Sequence, residues 1–135
     1  SDQLSAIQEA LHAVTSEKGG TARHRFLGLY IPVAGKTGTA EDPGHPSGLP
    51  HSWFAGYTLA NQPDKPDIVI VVVVENLGEG SEYAAPIFRR VVETYFLERP
   101  ATLYPWESEF GLAATPTPTP ETVLPIETET PTPSP

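Results

Sequence analysis

The sequence predicts an α+β fold, a partial sheet of about three strands with flanking helices. Residues 68–74 form an unbroken run of seven apolar residues that does not alternate, the pattern of a strand expecting cover on both faces. Leu4, Ile7, Leu11 and Val14 fall at steps of three and four, one stripe of an amphipathic helix. A second helical segment, residues 83–97, offers Ile87, Phe88, Val91, Val92, Tyr95 and Phe96 as a covering layer.

Taken in order, the first helix can be capped by Ser1 or Asp2 and ends at Gly19-Gly20. Residues 23–29 read as a short strand or loop. A first strand runs from about Tyr30 through Val33 to Thr39, small and β-prone. Residues 41–50 hold Pro43, Gly44, Pro46, Gly48 and Pro50 and form a loop. Residues 52–59 make a second strand, 61–64 a turn, 67–75 the third strand and 76–80 its closing loop. Pro86 fits only in or near the first turn of the last helix. The first helix is expected to cover part of the third strand's other face. Three strands and two helices are few for so apolar a strand, so the sheet is expected to continue in chain not present here.

Residues 1–99 therefore read as the globular part. Residues 100–114, with Tyr104, Trp106 and Phe110, read as an irregular aromatic strap. Residues 115–135 contain 7 Pro and 7 Thr and favour solvated polyproline II, a spacer that cannot bury enough apolar surface to offset its ordering entropy.

The charge is 8 basic against 17 acidic side chains, net −9. That excludes the basic surfaces that bind nucleic acid or anionic membranes. Absence of Cys removes disulfides, thiolate zinc sites and cysteine nucleophiles. No motif asks for a cofactor or a metal. Absence of Met, even at position 1, and of a basic-then-apolar leader points to a soluble piece of something longer. The longest apolar run is far short of a membrane span.

Lys36-Thr37-Gly38 carries little information alone. Its surroundings carry more: residues 33–41 read Val-Ala-Gly-Lys-Thr-Gly-Thr-Ala-Glu on a predicted strand. A Pro/Gly loop follows, then His51-Ser52-Trp53-Phe54-Ala55-Gly56-Tyr57, the long apolar strand, and Ala84-Ala85-Pro86-Ile87-Phe88. Gly20-Thr21-Ala22 after the first helix fits the same order. This order, over residues 4–96, resembles the C-terminal part of a penicillin-binding protein transpeptidase domain. Thr39-Ala40-Glu41 and the Ala-Ala-Pro helix look most like the class B type.

The resemblance implies an antiparallel sheet of the penicillin-binding protein and serine β-lactamase type, and a K-T-G strand walling an active-site cleft. It implies that Lys36 supplies a cation and helps set the protonation of serines opposite. Thr37 and Thr39 would hold the terminal carboxylate of a D-Ala-D-Ala stem peptide or of a β-lactam. Gly38 would let the substrate lie along the strand, and the Thr39 N–H would be one of two oxyanion donors. The family's nucleophile lies in S-x-x-K and its relay in S-x-N, both N-terminal to K-T-G. Neither pattern occurs here, so the chain alone is expected not to catalyse. By resemblance, the longer parent would be membrane-anchored and extracytoplasmic.

Beside these stand plainer readings. Trp53, Phe54 and Tyr57 are expected to pack in core and sheet. His45 and His51, with Asp42 nearby, are expected to be solvated loop residues. Glu41 and Asp42 fit a cleft rim and a polar loop equally. Arg89 and Arg90 are expected on the solvent face of the last helix. The expected partners are the stem peptide or β-lactams, the missing N-terminal part of the domain, and a second copy through an open sheet edge. A serine β-lactamase or β-lactam sensor, and a non-catalytic wall-peptide-binding module, are the competing functions.

Overall fold

The computed structural model describes residues 2–101, 103 and 104. Its elements are α1 (Asp2–Ser16), α2 (Arg23–Phe26), β1 (Val33–Ala40), β2 (His51–Thr58), β3 (Val69–Val74) and α3 (Ala84–Leu97). β1 pairs antiparallel with β2, and β2 with β3, so the sheet order follows the chain. The two connections are too short for crossover helices, which leaves antiparallel pairing as the available geometry. Residues 23–29, expected as strand or loop, instead contain the single turn of α2.

One face of the sheet is covered. Phe54 of β2 and Val72 of β3 point at α3, whose Phe88, Val92 and Phe96 complete the core with Phe26, Ile31 and Val33. Phe54 meets Phe26 and Phe88 with ring centroids 5.4 and 4.7 Å apart. Opposite residues Gly35 and Gly56 leave the room this requires: a Cβ on Gly35 would stand 2.7 Å from the Phe54 ring. Pro86 lies in the first turn of α3, where the missing N–H costs nothing.

The other face is bare. Val69, Val71 and Val73 are 78%, 59% and 42% exposed, and Trp53 and Ala55 lie opposite Val73 and Val71 on the same side. The expected two-sided cover of β3 is thus absent among the described residues, because α1 packs on β1, at the far side of the sheet. Leu4 and Ile7 of the α1 stripe are exposed too; only its last turn, through Val14 and Thr15, reaches the core. Trp53 accordingly stands on an open surface, whereas Phe54 is fully buried.

Arg89 and Arg90 do not face solvent, contrary to expectation. Arg89 Nε donates to Glu93 Oε1 at 2.7 Å, Arg90 pairs with Glu93 Oε2, and Glu93 is fully buried. Arg89 also donates to the carbonyls of Arg25 (2.8 Å) and Leu27 (2.9 Å), tying α3 to the end of α2. Arg90 lies under the Tyr104 ring, 4.9 Å from its centroid. The rest of the predicted strap, Trp106 and Phe110, and the Thr/Pro tail lie outside the described residues.

Two polar anchors close the elements. Glu98 takes the left-handed conformation after α3 (φ 62°), and Lys65 Nζ donates to the freed carbonyls of Tyr95 and Phe96. Asp67 accepts from Thr58 Oγ1 and the amides of Ala60 and Asn61, which fixes the β2–β3 turn. The Thr58 hydrogen bond, aided by the two amides, holds the Asp67 carboxyl below its ordinary value. Among the described residues no helix is long and apolar enough to cross a membrane.

Candidate functional site

β1 is an edge strand, and its backbone alternates between its partner and the open side. The carbonyl of Pro32, just before the strand, accepts the Leu59 amide at 2.8 Å and so faces β2. The Val33 carbonyl accepts Thr15 Oγ1 at 2.6 Å, and the Thr37 carbonyl accepts Lys36 Nζ at 2.8 Å. Both of these face away from β2. By the same period of two, the N–H and C=O of Thr39 also face the open edge.

The polar side chains gather along that edge. Lys36 begins on the bare face and bends round the edge, its Nζ reaching Thr37 Oγ1 at 3.1 Å as well as the Thr37 carbonyl. Thr21 Oγ1 lies 3.1 Å from Thr37 Oγ1, so the Gly-Thr-Ala segment is brought to the strand from the turn after α1. Thr39 Oγ1 donates to Glu79 Oε2 at 2.8 Å. Lys36, Thr37, Gly38 and Thr39 therefore share one edge. At Gly38 an added Cβ would meet Trp53 Cβ at 3.1 Å, on the bare face.

Glu79 was not marked by sequence reasoning. It lies forty residues from Thr39 in an irregular loop, with no local periodicity to flag it. In the structure its neighbour Gly80 is buried and allows a close backbone approach. A Cβ at Gly80 would stand 2.3 Å from the Trp53 carbonyl and 2.6 Å from that of Gly38.

Next to Glu79 opens an apolar pocket of about 760 Å³, lined among others by Leu49, Leu77, Tyr83 and Ile87. Its charged wall is Glu82, which pairs with Arg25 and with His24 Nε2 at 3.2 Å. Burial works to raise the Glu82 carboxyl, but His24 and Arg25 outweigh it and hold the group below its ordinary value.

His51 Nδ1 accepts the Asn76 amide at 3.1 Å, and its Nε2 is 3.8 Å from Asp42 Oδ2. His45 Nδ1 lies 2.8 Å from Ser47 Oγ within its own loop. Among the described residues no three ligating side chains converge on a metal position.

The sequence comparisons meet this geometry on the same segment. A family model, the penicillin binding protein transpeptidase domain, matches residues 1–93. The peptidoglycan D,D-transpeptidase MrdA of Haemophilus influenzae is 33% identical over 106 residues, covering 70% of this chain and 16% of that protein. A chain in a solved peptidoglycan synthase complex, studied for its coordination of polymerization and crosslinking, superposes with a TM-score of 0.60 at 40% identity. That match covers 72% of this chain and 16% of the other. The chain thus spans about a sixth of the length of each relative. A matched segment that contains the whole β1 edge, most of α3 and every strand between them settles the family: the chain belongs to the penicillin-binding protein transpeptidase domains.

Proposed function

We propose that this chain is the C-terminal lobe of a peptidoglycan D,D-transpeptidase of the class B type, and that the open edge of β1 is one wall of its cleft. The observation that carries this reading is the gathering of Lys36 Nζ and the Thr37 hydroxyl at an unpaired strand edge toward which the Thr39 N–H also points. An extended peptide ending in D-Ala-D-Ala adds to this edge as a further strand. Thr37 and Thr39 donate hydrogen bonds to its terminal carboxylate, and Lys36 supplies the compensating cation. The Thr39 N–H stabilises the oxyanion that forms when a serine outside this chain attacks the penultimate carbonyl, at about 3 kcal/mol per such donor. Terminal D-Ala leaves, and the acyl group passes from the serine to the amine of a second stem peptide.

Lacking S-x-x-K and S-x-N, the chain alone binds without acylating. In this reading residues 1–99 are the catalytic-domain piece, and the parent works outside the cytoplasm, anchored in the membrane. The outer edge of β3 is the seam to the rest of the domain; in its absence that edge offers a route to a homodimer.

Titration of the isotope-labelled chain with an acyl-D-Ala-D-Ala peptide, followed by NMR, tests the proposal. Amides of residues 37–39 are expected to shift, and Lys36→Ala to weaken binding about tenfold, the loss of one charge-assisted contact. Unmoved amides, or an affinity unchanged in Lys36→Ala, would refute it.

A further inference from the structure

Resting on the reading just given, we infer that Glu79 is a specificity-determining residue: its carboxylate is an internal competitor for the Thr39 hydroxyl, which an anionic ligand must displace. Glu79 Oε2 sits 2.8 Å from Thr39 Oγ1 and accepts its hydrogen bond. It therefore occupies, with the same functional group, the donor assigned to a ligand's carboxylate.

The backbone of Glu79 is fixed beside the strand, and its exposed side chain reaches Thr39 from there. The Glu79 carbonyl accepts Ser52 Oγ (3.0 Å) and the Glu82 amide (3.0 Å), and Ser52 Oγ in turn accepts the Ala84 amide (3.0 Å). Ser52 is the register partner of Thr39. Gly80, fully packed against the backbones of Gly38 and Trp53, pins the loop to β1 from the other side of Glu79. The carboxylate thus hangs from a backbone fixed directly beside the site strand.

Lys36 stands on the same edge, but its Nζ contacts go to Thr37 and not to Glu79. Glu82, three residues on, is neutralised by Arg25 and His24, whereas among the described residues no Lys, Arg or His forms an ion pair with Glu79. A ligand carboxylate arriving at Thr39 meets both a taken hydroxyl and an unpaired negative charge. A ligand whose terminus is neutral meets only the first. Glu79 consequently lowers affinity for acidic termini relative to amide or ester termini, and substrate that does bind must displace it toward the adjoining pocket, whose wall it shares.

Paired titrations of the full chain distinguish this from the underlying reading. The probes are an acyl-D-Ala-D-Ala free acid and the same peptide as its C-terminal amide, against wild type and Glu79→Gln, which keeps shape and an acceptor oxygen but removes the charge. Glu79→Gln is expected to tighten the free acid about fivefold and to leave the amide unchanged. Equal free-acid affinity in both proteins, with residues 37–39 still shifting, would overturn the competitor role and leave the cleft-wall reading standing. Weaker binding in Glu79→Gln would also overturn it, making Glu79 a positioning residue for Thr39. No free-acid binding by either protein would remove the cleft-wall reading, and this inference with it. Unchanged circular dichroism and thermal midpoint in Glu79→Gln secure the comparison.

Discussion

Glu93 is the charge whose removal α3 tolerates least. It is fully buried, and the side chains of Arg89 and Arg90 that grip it are only 11% and 9% exposed. Substituting Ala takes away the carboxylate that both guanidinium groups hold. They cannot swing out to water to recover, because Arg89 stays fastened to the carbonyls of Arg25 and Leu27 and Arg90 is held beneath Tyr104. Breaking such a buried arrangement from one side costs about 3–5 kcal/mol. Glu93→Gln retains one acceptor and the shape, so its expected cost is about 2–3 kcal/mol, the worth of a charged hydrogen bond left unmade. For a domain of this size that lowers the thermal midpoint by roughly 10–20 °C. Urea and thermal unfolding followed by circular dichroism measure it, with Glu98→Gln as the control. Glu98 pairs with Lys65 at the exposed end of the same helix, and that substitution is expected to cost under about 0.5 kcal/mol. If Glu93→Gln costs no more than Glu98→Gln, the argument that this network holds α3 to α2 is wrong. Where Glu93→Ala fails to fold, Glu93→Gln remains the deciding variant.

Acid sensitivity has a definite sign. Asp67 and Glu82 are both held below their ordinary values of 3.8 and 4.5, so the folded chain binds these protons less readily than the unfolded chain. The stability they contribute is complete above those values and is lost as pH falls through the lower folded ones. Urea midpoints taken between about pH 6 and pH 2 should therefore fall, and the fall should be shallower in Asp67→Asn. Gly80→Ala forces a methyl into the Trp53 and Gly38 carbonyls and should cost about 2 kcal/mol while separating Glu79 from Thr39, which cross-relaxation between the two residues reports. Native stability in Gly80→Ala would show that the loop does not need this close approach.

Much of the fold was legible because its signals are local. The signals for α1, the Pro/Gly loop before β2, β3 and α3 each sit within a dozen residues, and each element forms where expected. Leu4 and Ile7 of α1 and Ile87 and Val91 of α3, read as packing stripes, nevertheless stay exposed. Residues 23–29 misled because one helical turn is too short to display a period. The β3 run misled differently: an apolar face records what a strand is built to meet, and Val69, Val71 and Val73 meet nothing among the described residues. Arg89 and Arg90 read as a solvent face because adjacent cations on a helix usually are one; Glu93, at steps of four and three from them, was the available clue to burial. In the site, β1 placed Lys36, Thr37 and Thr39 together by contiguity alone. The Thr21 and Glu79 contacts depend on long-range packing that no short window contains.

The aromatic trio of Phe26, Phe54 and Phe88 has a mechanical meaning for the edge it supports. Phe54 presses into the gap left by Gly35 and Gly56 and leans on one ring from α2 and one from α3. β1 is thereby wedged: it cannot bow inward without pushing two helices at once. The loop that carries Glu79 is pinned to the same strand through Gly80, so what is left to give way beside the edge is side chain, not backbone. The result is a stiff rail with a movable carboxylate at its side, and a ligand settles by turning that carboxylate while the rail keeps its line.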